Sequence, residues 1–106
     1  MSSTIDPNAA PPFEALQVPE AALQHGGVEI LRCGVINQGL HVTMRPVFED
    51  TQMWGRVLAD IAFQLAGVYA QHTKGQAAEI VANIRMAFDH EMNNPPGDVN
   101  AVRPSA

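Results

Sequence analysis

The stretch Asp50–Asn93, DTQMWGRVLADIAFQLAGVYAQHTKGQAAEIVANIRMAFDHEMN, decides the fold. Trp54, Val57, Leu58, Ile61, Leu65, Val68 and Tyr69 recur at spacings of three and four, which puts them on one face of a helix over about 51–72. Asp50 stands where an N-cap carboxylate accepts from the first backbone N–H groups. Gly75 suits a left-handed C-terminal cap. A second helix follows over about 76–93, with Ala77, Ile80, Val81, Ile84 and Phe88 inward and an Arg85–Asp89 pair one turn apart. Ala59, Phe63, Ala66 and Ala70 make a second stripe on the first helix, small enough for another helix to approach closely. The helix pair thus has more apolar face than one small sheet needs.

Upstream, Val28–Ile36 and Leu40–Val47 are rich in β-branched residues and flank Asn37-Gln38-Gly39, the pattern of a β-hairpin over about 28–36 and 40–47. Two registers compete. A three-residue loop with Gly39 in the left-handed position pairs Ile36 with Leu40 but mixes Arg32 and Met44 on one face. Pairing Asn37 with Leu40 gathers Leu31, Cys33, Val35, Leu40, Val42 and Met44 on one side and Arg32, His41, Thr43 and Arg45 on the other. Because a one-residue slip exchanges the faces, the cleaner pattern carries more weight than the turn chemistry. Ile30 and Ile36 still fall on the polar side, so that side also expects some cover.

The expected fold is α+β: an antiparallel hairpin packed on two helices in ββαα order. Residues 1–18 form a Pro-rich disordered segment, 19–94 a single domain and 95–106 a disordered tail. Pro19 opens a short helical turn that His25-Gly26-Gly27 ends, and Phe13 and Leu16 are available to dock on the domain. A core this small buries only about 60% of the surface its unfolded chain exposes, and a lone two-stranded sheet leaves two bare edges. A homodimer follows, joined through the hairpins or through the Ala59/Phe63/Ala66/Ala70 stripe.

Composition removes several function classes. With net charge −5 and six scattered Lys and Arg residues, the chain lacks the basic patch of a nucleic-acid binder. No apolar run is long enough to span a bilayer, and the N-terminal segment has no apolar stretch of the secretory kind, so no membrane is expected and the setting reads as cytoplasmic. Serine occurs only at Ser2, Ser3 and Ser105, which sets a serine hydrolase aside. Gly26-Gly27 precede a strand rather than a helix, so neither phosphate-loop pattern holds.

His25, His41, His72 and His90 lack the three-to-five-residue spacing of a zinc pair, and no metal site is expected. Cys33, the single cysteine, sits in an apolar run and reads as a core thiol with no base beside it. Asp60 reads as an exposed or an ion-paired acid, with Arg56 one turn back as the candidate partner. No residue is assigned as catalytic, and no cofactor is expected. The residues best placed for contact with a ligand or partner are Arg32, His41, Arg45, Trp54, Phe63 and Tyr69. They serve two readings. The preferred one is a small non-enzymatic protein-binding or regulatory module acting as a homodimer; the other is a ligand-binding protein or enzyme with a pocket between hairpin and helices.

The order of these pieces is similar to a known family. The run Glu29-Ile-Leu-Arg, the segment Gly39-Leu-His-Val-Thr-Met-Arg, the Trp54-Gly55 pair, Leu58-Ala-Asp-Ile-Ala62, Ala70-Gln71 and Ile84-Arg-Met-Ala-Phe-Asp-His-Glu91 resemble small bacterial proteins grouped as domain of unknown function 5076. The resemblance covers about Val28 to Pro95. It implies a proteobacterial, cytoplasmic setting and carries over no active-site residue.

Overall fold

In the computed structural model, residues 12–95 are described, and the expectations for residues 1–11 and 96–106 lie outside them. The order is a short helix α1 (Glu20–His25), strands β1 (Leu31–Ile36) and β2 (Gly39–Met44), and long helices α2 (Gln52–His72) and α3 (Ala77–Asn93). This is the expected α+β chain in ββαα order, preceded by the single turn after Pro19. In that turn the Ala22 N–H donates to the Pro19 carbonyl at 2.9 Å. Gly26 and Gly27 then leave it at φ 74° and 141°, backbone that side chains larger than glycine resist.

The strands pair antiparallel with Ile36 opposite Gly39, Val35 opposite Leu40 and Cys33 opposite Val42, so neither register weighed above is the one formed. The turn consists of Asn37 and Gln38 at φ 50° and 66°. Positive φ at both central residues makes a type I′ turn, whose twist matches the flanking strands. Gly39, expected in the left-handed position, is instead the first paired residue of β2. The observed register lies two residues from the preferred one, and an even shift preserves the faces. Leu31, Cys33, Val35, Leu40, Val42 and Met44 therefore do share one side, as the hydrophobic pattern requires.

The other side is partly covered. A Cβ built on Gly34 would lie 2.7 Å from the Phe13 ring, so that ring rests directly on the glycine. Any larger residue at 34 would displace it.

Helix α2 starts one residue later than expected. Thr51 occupies the cap position without a side-chain bond, while the Asp50 carboxylate accepts from the Gln52 N–H at 2.9 Å. At the other end Thr73, not Gly75, closes the helix. Its N–H and its hydroxyl both donate to the Tyr69 carbonyl at 2.9 Å, its backbone turns extended, and Gly75 does not take a left-handed conformation. A threonine that bonds back to the last turn removes the need for a glycine cap. Helix α3 ends on Asn94, whose side-chain amide donates to the His90 carbonyl at 2.8 Å.

The core differs most from expectation. Ala66 is the one buried residue among those described, at 0% exposure. Helix α2 touches α3 and β1 touches β2, but no contact joins the hairpin to either long helix. The hairpin's predicted seat on the helices is therefore not formed within one chain.

The large-residue stripe of α2 is covered only in part: Trp54 and Val57 are half-buried, while Leu58, Ile61, Leu65, Val68 and Tyr69 stay exposed. Ala62, Ala66, Gly67 and Ala70 are buried or half-buried, as are Ile80, Val81 and Ile84 of α3, so small residues form the seam. Small side chains let the axes approach closely, which Leu65 or Tyr69 at the same place would prevent. Leu58, Leu65, Val68 and Tyr69 stay 43–56% exposed.

Candidate functional site

The expected contact residues fall into three places. Arg32 and Arg45 meet at the open end of the hairpin, around Glu29. Arg32 donates from Nε and Nη2 to the Glu29 carboxylate at 3.0–3.1 Å, and Arg45 Nε donates to the Glu29 backbone carbonyl at 3.4 Å. The strand ladder sets this up, because the Arg45 N–H donates to the Ile30 carbonyl at 2.9 Å and holds the two arginines side by side. Both ends of the Arg32–Glu29 pair are about half exposed, so it contributes at most ~1 kcal/mol. Arg32 takes the carboxylate and Arg45 the backbone carbonyl, so two guanidinium groups face a single carboxylate there and that end is net positive.

His41 lies opposite Gly34, near the other end of the strands and on the face away from Cys33 and Val42. Trp54, Phe63 and Tyr69 are distributed along α2. Trp54 is half-buried and meets Phe48 edge-on, with ring centres 5.4 Å apart at 75°. Phe63 and Tyr69 stand 60% and 56% exposed. The structure thus brings Arg32 and Arg45 together at Glu29, leaves His41 further along the same face of the hairpin, and keeps the three on a different element from the aromatic residues of α2.

Other expectations change. Cys33 is exposed rather than a core thiol, because the face that should bury it is uncovered. Asp60 accepts a hydrogen bond from Gln64 Nε2 at 2.8 Å and is not bonded to Arg56. Among the described residues Arg32–Glu29 is the ion pair, and Arg85–Asp89 does not form one. No group of three or more His, Cys, Asp or Glu side chains lies close enough to hold a metal among those residues. Phe48 carried no periodic signal, and only an aromatic six residues ahead of Trp54 marked it.

A cavity of about 740 Å³ opens between the N-terminal segment and β1, lined by Phe13, Leu16, Val18, Ala22, Val28 and Arg32 among others. A smaller one of about 290 Å³ lies against Glu29, Arg32, Thr43 and Arg45. Both belong to the hairpin's end of the molecule. The more extensive feature is apolar: Val35, Leu40 and Met44 on the hairpin are 46–79% exposed, and Leu58, Leu65, Val68 and Tyr69 of α2 are 43–56% exposed. Large exposed apolar patches mark association sites more often than free surface. No described helix is long and apolar enough to cross a membrane.

A search of curated proteins found no match. Among solved structures the chain is similar to one described as a "putative pyruvate dehydrogenase from the photosynthetic bacterium Rhodopseudomonas palustrus CGA009", at 30% identity and a TM-score of 0.68. The match covers 91% of this chain and 98% of that one. Residues 15–96 match the family described as a domain of unknown function (DUF5076), and that span is well over half of the sequence. The protein belongs to the DUF5076 family.

Proposed function

We infer that the protein is a small non-enzymatic binding or regulatory module that works as a homodimer through protein–protein contact. One observation carries this reading: in a chain with 46% hydrophobic residues, Ala66 alone is buried among the described residues, while large side chains of α2 and the hairpin stay open. Burying a large apolar side chain fully stabilises by about 1.5–3 kcal/mol, so the exposed ones represent folding energy that a single chain leaves unused. A bacterial, cytoplasmic setting belongs to the same reading, since a reducing compartment keeps the exposed Cys33 thiol unpaired. Gel filtration with light scattering at micromolar concentration tests it. A mass twice that of the chain supports the homodimer, and a strictly monomeric mass overturns it.

A second reading is favoured by the 740 Å³ cavity beside Arg32 and by the description of the Rhodopseudomonas relative. There the chain would hold a small carboxylate such as a 2-oxo acid. Thermal unfolding with and without pyruvate separates the two readings, because a ligand at 100 times its dissociation constant stabilises by about 2.7 kcal/mol. An unchanged midpoint removes pyruvate as that ligand.

A further inference from the structure

We propose that the apolar face of each hairpin covers the outer stripe of α2 in a second copy of the chain, so that the dimer forms by reciprocal exchange. This rests on the homodimer reading and specifies its interface. Val35, Leu40 and Met44 present one unpartnered surface, and Ile61, Leu65 and Val68 present the other, all 36–79% exposed. The dimensions agree. Six-residue strands run about 17 Å at 3.4 Å per step, and the stripe from Trp54 to Tyr69 runs about 22 Å at 1.5 Å per residue.

The segment between the two units keeps them apart within one chain. At its start the Arg45 N–H is bonded to the Ile30 carbonyl, and the Val47 N–H donates back to the Arg45 carbonyl at 2.8 Å across Pro46. That three-residue turn suits proline, whose fixed φ lies near the angle it needs. At its end Phe48 packs edge-on against Trp54. A connection held at both ends does not swing the hairpin back onto its own helices.

The likeness to the Rhodopseudomonas structure is not confined to the helix pair: residues 52–93 make up less than half of this chain, whereas the match at TM-score 0.68 covers 91% of it.

A second copy is the occupant that meets both faces at once. Every chain carries one hairpin face and one helix stripe, and a two-fold axis pairs them without leaving either over. Taking about 150–200 Å² for a large side chain laid fully open, the exposed parts of the six named residues come to roughly 550 Å² per chain. Complete reciprocal cover of these residues removes at most about 1,100 Å² in the pair, close to the ~1,000 Å² that a specific interface should clear.

Cys33 lies on the hairpin's apolar face and is the single cysteine, which allows a direct test. A chain with native Cys33 is mixed, after unfolding and refolding together, with a longer-tagged chain carrying Cys33→Ala and Leu65→Cys, and the mixture is treated with a short bis-maleimide. Circular dichroism checks that the helices persist, and Val68→Cys replaces Leu65→Cys if they do not. The expected product is a covalent pair with the summed mass of the short and long chains. A dimer by light scattering without that link overturns the exchange and leaves the homodimer standing. So does a Cys33–Cys33 link in the native chain as the main product, which would mean hairpins joined to each other. In a further variant that keeps Cys33 and adds Leu65→Cys, a link confined within the one chain overturns the exchange, and a monomeric mass overturns both readings.

Discussion

Along residues 58–70 of α2, burial divides the apolar residues by size. Ala62, Ala66 and Ala70 are buried or half-buried, with Ala66 at 0% exposure, whereas Leu58, Leu65, Val68 and Tyr69 stay 43–56% exposed. A helix that turns its small residues inward and its large ones outward has its principal apolar contact still to make. Close approach decides the seam, and apolar area decides the outer contact, so the two sides obey different parts of packing physics.

That contrast can be broken side by side. Leu65→Asp places a charge on the outer stripe, where burial in an interface costs several kcal/mol. It is expected to raise the dimer dissociation constant by at least about a hundredfold, ~2.7 kcal/mol, while far-UV circular dichroism stays unchanged. Sedimentation equilibrium reads the effect. Ala66→Leu strikes the seam instead and should cost about 1–3 kcal/mol by overpacking. Helicity is lost with it, as urea unfolding followed at 222 nm would report.

Two smaller tests concern the ends of the segment between the units. Trp54→Ala removes the edge-on contact with Phe48, worth about 0.5–1.5 kcal/mol beyond its buried area. It should also loosen the connection, so limited proteolysis near residues 45–51 becomes faster. Gln38→Gly relieves a left-handed backbone that glycine accepts and glutamine does not. It is expected to stabilise the hairpin by up to about 1 kcal/mol, visible as slower amide exchange across β1 and β2.

Much of the chain's order is legible in its residues. The spacing of Trp54 through Tyr69 locates α2 to within a residue, the Ala77–Phe88 pattern locates α3, and alternation in Leu31–Val35 and Leu40–Met44 assigns the hairpin faces. Those signals are local, and local signals fix local structure. The turn is not legible, because Gln38 holds a conformation usually marked by glycine while Gly39, the marker present, lies in a strand. The seam is legible in part: Ala66 and Ala70 belong to the small-residue stripe that close helix approach requires, although hydrophobic periodicity alone ranks Leu65 above Ala66. Cys33 follows from the same cause, since its face is apolar and yet uncovered within the chain. Of the candidate contact residues, Arg32 and Arg45 converge because the ladder aligns them. The distance of both from Trp54, Phe63 and Tyr69 depends on the segment at 45–51, which carries no periodic pattern.

The claim beneath all of this is that one chain alone does not complete its core. Thermal unfolding of the full chain over a hundredfold range of protein concentration tests it most directly. A midpoint that rises steadily with concentration is the predicted result, with each tenfold step adding about 1.4 kcal/mol to the associated state. A cooperative transition whose midpoint does not move with concentration would contradict it.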